Sequence, residues 1–313
     1  MKIFLIMILA SVLLPGPAPG AELPRADVDT IPNTVIVLPV KKGIRLRWVV
    51  PPLDIKEAQE LNWKNLAFGV DEKENPWVGH DRRFLINSLQ NTVFTVDQPY
   101  ENVVWTENNG IILSTQRQMG YLDVPAKTIS AQDGSPTMNF KAGVELPYPG
   151  MRMRAAWNNT VYFWGQKIKT SRYEVFLIQS DGEKPKIRNL ISEPHPVTAV
   201  SGDGQKTYIA MGPTVVLLEG NKSPQGYFKH PDEDILELEL YQGAGLFYAT
   251  KSEVGFIGRK QWFNFLKTPE PHIQLRNKKL YILVSNSLGV LRIEGADLFD
   301  GVERPVMNPE EAE

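Results

Sequence analysis

Six stretches of the chain carry the same alternation of hydrophobic and polar positions. Each has a short apolar strand, a polar turn, a second apolar strand and another turn. They run from Phe84-Leu85-Ile86 to Val93-Phe94-Thr95-Val96, Ile111-Ile112-Leu113 to Gly120-Tyr121-Leu122, and Val161-Tyr162-Phe163 to Val175-Phe176-Leu177-Ile178. The others run from Thr207-Tyr208-Ile209 to Val215-Val216-Leu217-Leu218, Leu246-Phe247-Tyr248 to Gly255-Phe256-Ile257, and Leu280-Tyr281-Ile282-Leu283 to Val290-Leu291-Arg292-Ile293. Upstream of the later five stands a further apolar strand and a turn rich in Asn, Gly and Asp, as in Val103-Val104-Trp105 before Asn108-Asn109-Gly110. Such turn residues tolerate positive φ and bond their own backbone, which suits reversals between antiparallel strands.

The units begin 27, 50, 46, 39 and 34 residues apart, close to the roughly 40–50-residue period of propeller blades. With three clear strands and a less regular fourth per unit, the chain is predicted to be an all-β, six-bladed β-propeller. The 33–50 stretch is read as a hairpin that either contributes to a seventh blade or closes the ring. Radial repetition leaves only short, protected sheet edges, which a chain of so many short strands requires. The only helical pattern outside the leader is the weak segment Ile55 to Trp63.

Residues 1–20 read as a signal peptide: Lys2 precedes an apolar run from Ile3 to Leu14, and Ala18-Pro19-Gly20 supplies small residues before a cut at Ala21. Twelve apolar residues are too few to span a bilayer. Residues 21–80 form an N-terminal lead-in that contains the 33–50 hairpin, 81–296 the propeller, and 297–313 an acidic tail. No transmembrane segment is expected after leader removal, and localisation is predicted as periplasmic or secreted. Cysteine is absent, which excludes disulfides, thiol nucleophiles and thiolate metal sites and favours a bacterial envelope or exterior. A formal net charge of −2 argues against a nucleic-acid partner. Arg45 and Arg47 alternate with Leu46 and Trp48 as one wet face of a strand.

A family resemblance rests on Glu174 to Leu190, which ends a strand in Asp181-Gly182 and continues through Lys184-Pro185-Lys186, followed by Val197 to Gly204 with a second Asp-Gly. This junction resembles the blade signature of TolB-type propellers and is WD40-like in outline. It departs at Leu190-Ile191, where that family has Leu-Thr, and at Ser201-Gly202, where it has Ser-Pro. The resemblance implies the fold, and the 21–80 region is too short for the extra α/β domain of the TolB protein itself.

Catalytic signatures are missing: there is no Gly-x-Ser-x-Gly, His-Glu-x-x-His, phosphate loop or Gly-x-Gly-x-x-Gly. The pairs Asp181-Gly182, Asp203-Gly204 and Asp300-Gly301 are read as strand turns. One constellation stands out. His195, His230 and His272 each adjoin proline at equivalent blade junctions, and Tyr100 and Tyr148 adjoin proline at two earlier ones. The links into the innermost strands lie on one rim of a propeller, so these five residues are the candidate ligand or metal rim, where imidazoles could converge. No cofactor is expected. The leading expectation is a non-enzymatic scaffold that binds another envelope or secreted protein. The alternatives are a propeller hydrolase or lyase with a metal ion at the central channel, drawing on residues such as Asn108, Asn159 and Glu239, and a structural subunit of an envelope or surface complex.

Overall fold

The computed structural model describes residues 67–87, 92–106, 110–123, 137–156, 160–179, 185–241, 244–258, 261–284 and 287–292, with the backbone of short strands at 35–36, 45–49 and 302–303. The leader, the segment from Ile55 to Trp63, Asn108, Asn159, Asp181-Gly182 and Asp300-Gly301 lie outside the described residues.

In chain order the strands are β1 (Val35–Ile36), β2 (Arg45–Val49), β3 (Ala67–Val70), β4 (Pro76–His80), β5 (Phe84–Asn87), β6 (Thr92–Val96), β7 (Asn102–Trp105), β8 (Ile111–Ser114) and β9 (Gln118–Asp123). They continue as β10 (Thr137–Glu145), β11 (Arg152–Ala156), β12 (Thr160–Lys167), β13 (Arg172–Gln179), β14 (Lys186–Glu193), β15 (Ala199–Gly202), β16 (Lys206–Met211), β17 (Thr214–Glu219) and β18 (Gln225–Lys229). The last are β19 (Glu237–Tyr241), β20 (Gly245–Ala249), β21 (Glu253–Gly258), β22 (Gln261–Lys267), β23 (His272–Arg276), β24 (Lys279–Val284), β25 (Ser287–Arg292) and β26 (Val302–Glu303).

These strands build antiparallel units of four: β3–β6, β7–β10, β11–β14, β15–β18, β19–β22, and β23–β25 completed by β2. Each unit opens with an inner strand, and β3, β7, β11, β15, β19 and β23 are neighbours in turn, with β23 returning to β3. A closed ring of this kind is a β-propeller, as the alternation predicted. The first repeat, however, was read out of phase. The hairpin that matches the other five is β4–β5, and the stretch from Phe84 to Val96 is β5–β6, which accounts for the short first interval.

The stretch read as one hairpin at 33–50 enters two sheets. β2 pairs with β25 in the register Arg45↔Arg292 to Val49↔Leu288 and supplies the outer strand of the last unit. β1 pairs with β22 at Val35↔Lys267, and β26 caps the other half of the same edge at Trp262↔Val302. A ring closed by one strand from its beginning and three from its end cannot open without unpairing both. The first two units are joined differently: β10 pairs parallel with β6 at Thr137↔Thr95 and then antiparallel with β9.

The core lies between the units because each sheet buries both faces. Leu85, Phe94, Trp105 and Leu113 pack between the first two, and Met153, Phe163 and Phe176 between the second and third. Tyr162, Val175, Val200 and Ile209 follow, then Phe228, Leu238, Leu246 and Tyr248, then Phe247, Phe265, Ile273 and Ile282. Val70, Tyr281 and Leu288 fill the closing seam. Burial on both faces explains why many strands read as apolar runs rather than strict alternations. At the turn after β15, Gly204 adopts φ +87° while Asp203 Oδ1 accepts the N–H groups of Gln205 and Lys206 at 2.9 and 2.7 Å. Asp203-Gly204 is therefore a turn, as read.

Candidate functional site

All five proline-bearing links described, 97–101, 146–151, 194–198, 230–236 and 268–271, precede an inner strand, so they lie on one rim. On this rim the inner strands surround a funnel of about 940 Å³ lined from every unit, which is at the upper end of small-ligand sites. Phe68, Val103, Met153, Trp164 and Leu236 supply apolar wall; Asn102, Arg154, Glu237, His272 and Gln274 supply polar groups.

Period 2 along the inner strands produces this division. In β11, Arg152 and Arg154 are more exposed than Met153 between them. In β23, His272 and Gln274 are partly exposed whereas Ile273 and Leu275 are buried against the fifth unit.

Arg154 is the hub. Its guanidinium donates from Nη1 to Glu237 Oε2 at 3.4 Å, from Nη2 to Glu239 Oε1, and from Nη2 to the Ile273 carbonyl at 2.7 Å. It thus crosses the channel from the third unit to the fifth and sixth. Glu237 Oε2 also accepts the Ile273 N–H at 2.8 Å, and its Oε1 meets His272 Nδ1 at 2.7 Å. Burial alone pushes the Glu237 carboxyl up, but His272, Arg154 and the Ile273 N–H outweigh it and hold the group below the usual carboxylate range. Burial prevails at Glu239, whose carboxyl is raised despite Arg154. Burial disfavours the Arg154 cation, yet the two carboxylates more than offset this and raise its pKa further. Deeper in the ring, Arg276 donates to the carbonyls of Val70 and Trp105 and so ties the last unit to the first two.

The five candidate residues share the rim but not the mouth. His272 and Tyr100 line the funnel. Tyr100 is buried and donates its hydroxyl to the Phe84 carbonyl at 2.9 Å. Tyr148 donates to the Gly165 carbonyl at 3.0 Å, His195 is exposed on its link, and His230 is buried beside Glu253 between the fourth and fifth units. The three imidazoles therefore do not converge. The sequence reading passed over Arg154 and Glu237. Their signal is the run of charged residues at alternate positions of inner strands, Arg152 and Arg154, Glu237 and Glu239, which a buried strand has no packing reason to carry.

No protein-family model matches the chain, and no curated protein matches it in sequence. Solved structures do resemble it. A gluconolactonase from Xanthomonas campestris is 12% identical, with 83% of this chain and 100% of that one covered at a TM-score of 0.52. A luciferin-regenerating enzyme is 12% identical over the same shares, with a TM-score of 0.57. A calcium-binding protein, regucalcin, from Agrobacterium tumefaciens is 9% identical over 87% of this chain and 100% of that one, with a TM-score of 0.55. Likeness at this identity establishes the propeller fold.

The expectation of a non-enzymatic scaffold is overturned at this point. The fold is shared with proteins described as enzymes, and the mouth is a ligand-sized cup in which His272 meets Glu237. Of the residues named for the metal in the enzymatic alternative, Glu239 closes on the Arg154 guanidinium together with Glu237, and Asn108 and Asn159 lie outside the described residues. Among the described residues no three His, Asp or Glu side chains are grouped to hold a metal.

Proposed function

We propose that the protein is a hydrolase that cleaves compact esters or lactones in the funnel without a metal at the channel. The observation that carries this is the chain His272–Glu237–Arg154 at the mouth of a cup of about 940 Å³. A carboxylate on Nδ1 fixes the imidazole tautomer that leaves Nε2 the basic nitrogen. His272 then takes a proton from water as the water oxygen attacks the carbonyl carbon, and returns it to the departing alkoxide. One water is consumed, and an ester gives an acid and an alcohol while a lactone opens to a single hydroxy acid. Arg154 uses three donors on protein oxygens among the described residues, and a guanidinium carries five. Its charge stabilises the oxyanion that develops in the transition state. The apolar wall of Phe68, Val103 and Leu236 supports a substrate with an apolar body.

The test is hydrolysis of small aryl esters and lactones by the purified chain with a chelator present. Removing a general base costs roughly 10²–10⁴ in rate, so His272→Ala should lose turnover by about that factor. No turnover above buffer in the wild type would end the reading. The apolar run from Ile3 to Leu14 supports action outside the cytoplasm, and a mature N-terminus other than Ala21 would count against it. The TolB-like junction from Glu174 to Gly204 supports kinship in blade construction and carries no activity.

A further inference from the structure

His230 is the proline-flanked histidine that the proposed chemistry does not use. It is 3% exposed, and its ring lies 5.6 Å from Tyr248 and 5.7 Å from Trp262, centroid to centroid. Its two nitrogens do opposite things. Nδ1 accepts the backbone N–H groups of Asp232 and Glu233 at 3.3 and 3.0 Å. Nε2 meets Glu253 Oε1 at 3.0 Å, and Glu253 also accepts Tyr248 Oη at 2.8 Å and Asn264 Nδ2 at 2.6 Å. Two donors at Nδ1 require a lone pair there, so the proton sits on Nε2 and is given to the carboxylate.

The ring is thus a bolt between the floor of the fifth unit and the link 231–236 that crosses the rim. The link continues through Ile235 N–H to the Gly212 carbonyl and Leu236 N–H to the Ala249 carbonyl, at 2.9 and 2.8 Å. It ends in Leu236, a 42% exposed apolar residue on the funnel wall, and is followed at the start of β19 by Glu237, the carboxylate on His272.

We propose that His230 is a positioning residue for the funnel: by capping the start of the 231–236 link it sets the place of Leu236 on the wall, against which the apolar part of the substrate packs. This rests on the funnel being the substrate site. Glu237 is held independently by Ile273 and Arg154, so the effect falls on binding more than on turnover.

Two substitutions separate the nitrogens. His230→Asn places an amide oxygen where Nδ1 accepts, and His230→Gln places an amide nitrogen where Nε2 donates. In the full chain, His230→Gln should lose hydrogen-exchange protection at the Asp232 and Glu233 amides and raise KM for an aryl ester by about tenfold with kcat within about twofold. His230→Asn should keep both the protection and the KM, although it is the less stable for leaving Glu253 without that donor. Leu236→Ser, at an exposed position that does not threaten folding, should raise KM by a similar factor. Asn and Gln variants that lose protection and KM alike, in step with stability, would overturn the proposal, as would an unchanged KM in Leu236→Ser. If the wild type hydrolyses nothing, the substrate-site reading fails while the exchange result still decides whether Nδ1 holds the link.

Discussion

Arg154→Ala tests the centre of the site. The Arg154 side chain is 17% exposed and its guanidinium lies between Glu237 and Glu239, whose side chains are 18% and 10% exposed, so solvent screening reduces the interaction little. Removing one partner of such a buried network leaves uncompensated charge and costs about 3–5 kcal/mol, a large fraction of the roughly 5–15 kcal/mol by which folded domains are stable. The loss should depend on pH in a definite direction. In the wild type Glu237 lies below the usual carboxyl range. Its stabilising contribution is therefore present above the unfolded carboxyl value and is lost as pH falls through the lower folded one. Glu239, raised, contributes in the opposite sense.

In the variant both carboxyls lose the cation and rise from their wild-type positions, so the folded variant takes up protons more readily than the folded wild type and the stability gap between the two narrows as the solution is acidified. Urea unfolding followed by tryptophan fluorescence should give a destabilisation of about 4 kcal/mol at pH 7 that shrinks to about half by pH 4.5, near the unfolded glutamate value. The triple change that adds Glu237→Gln and Glu239→Gln should restore much of the loss at pH 7. A destabilisation under about 1 kcal/mol, or one that does not change with pH, would show that the three charges are solvated and that the network does not hold the channel together.

Three further substitutions probe the frame. A Cβ at Gly69 would stand 1.8 Å from Trp105 Cε3, so Gly69→Ala should destabilise by about 3 kcal/mol through overpacking; an unchanged melting temperature would show that the ring between first and second units is loose. Tyr162 Oη sits 3.0 Å from Thr207 Oγ1 and accepts the Gly204 N–H at 3.1 Å, all buried, so Tyr162→Phe should cost about 1–3 kcal/mol in chemical denaturation. At Glu253 burial pushes the carboxyl up, but His230, Tyr248 and Asn264 outweigh it and lower its pKa. That contribution is present above the unfolded carboxyl value and lost as pH falls through the folded one, so Glu253→Gln should flatten the acid limb of the stability curve, and an unaltered limb would assign it to other groups.

The fold was legible because its signal is local. Apolar pairs such as Ile209 and Val216 face each other across a turn of a few residues, and turn chemistry marks where each strand reverses. The phase slip at the start has an equally local cause. β4 reads Pro76-Trp77-Val78-Gly79-His80, with proline and glycine in place of the usual aliphatics, so the alternation first becomes visible one strand later at Phe84. The destination of β2 was not legible, because its partner β25 lies some 240 residues away and nothing in Arg45-Leu46-Arg47-Trp48-Val49 distinguishes the outer strand of a distant sheet from half of a nearby hairpin.

Of the site, the sequence marks only the links. Proline flags them and His195, His230 and His272 stand beside them, but sequence adjacency to a link does not decide on which side of the inner strand a residue falls. His230 precedes its strand by seven residues and turns inward between sheets, held by Glu253, while His272 is the first residue of β23 and meets the channel. The residues that reach the channel are those at alternate positions within the inner strands, and there a polar side chain needs a partner from another unit. Arg154 finds Glu237 and Glu239 some 80 residues on, so charges that stand far apart in the sequence are one network assembled by ring closure. Whatever the funnel binds must therefore contend with a cation already matched by two carboxylates. A ligand gains from Arg154 only to the extent that it meets the donors left over, which favours a neutral carbonyl compound that becomes negative during reaction over one that arrives as an anion.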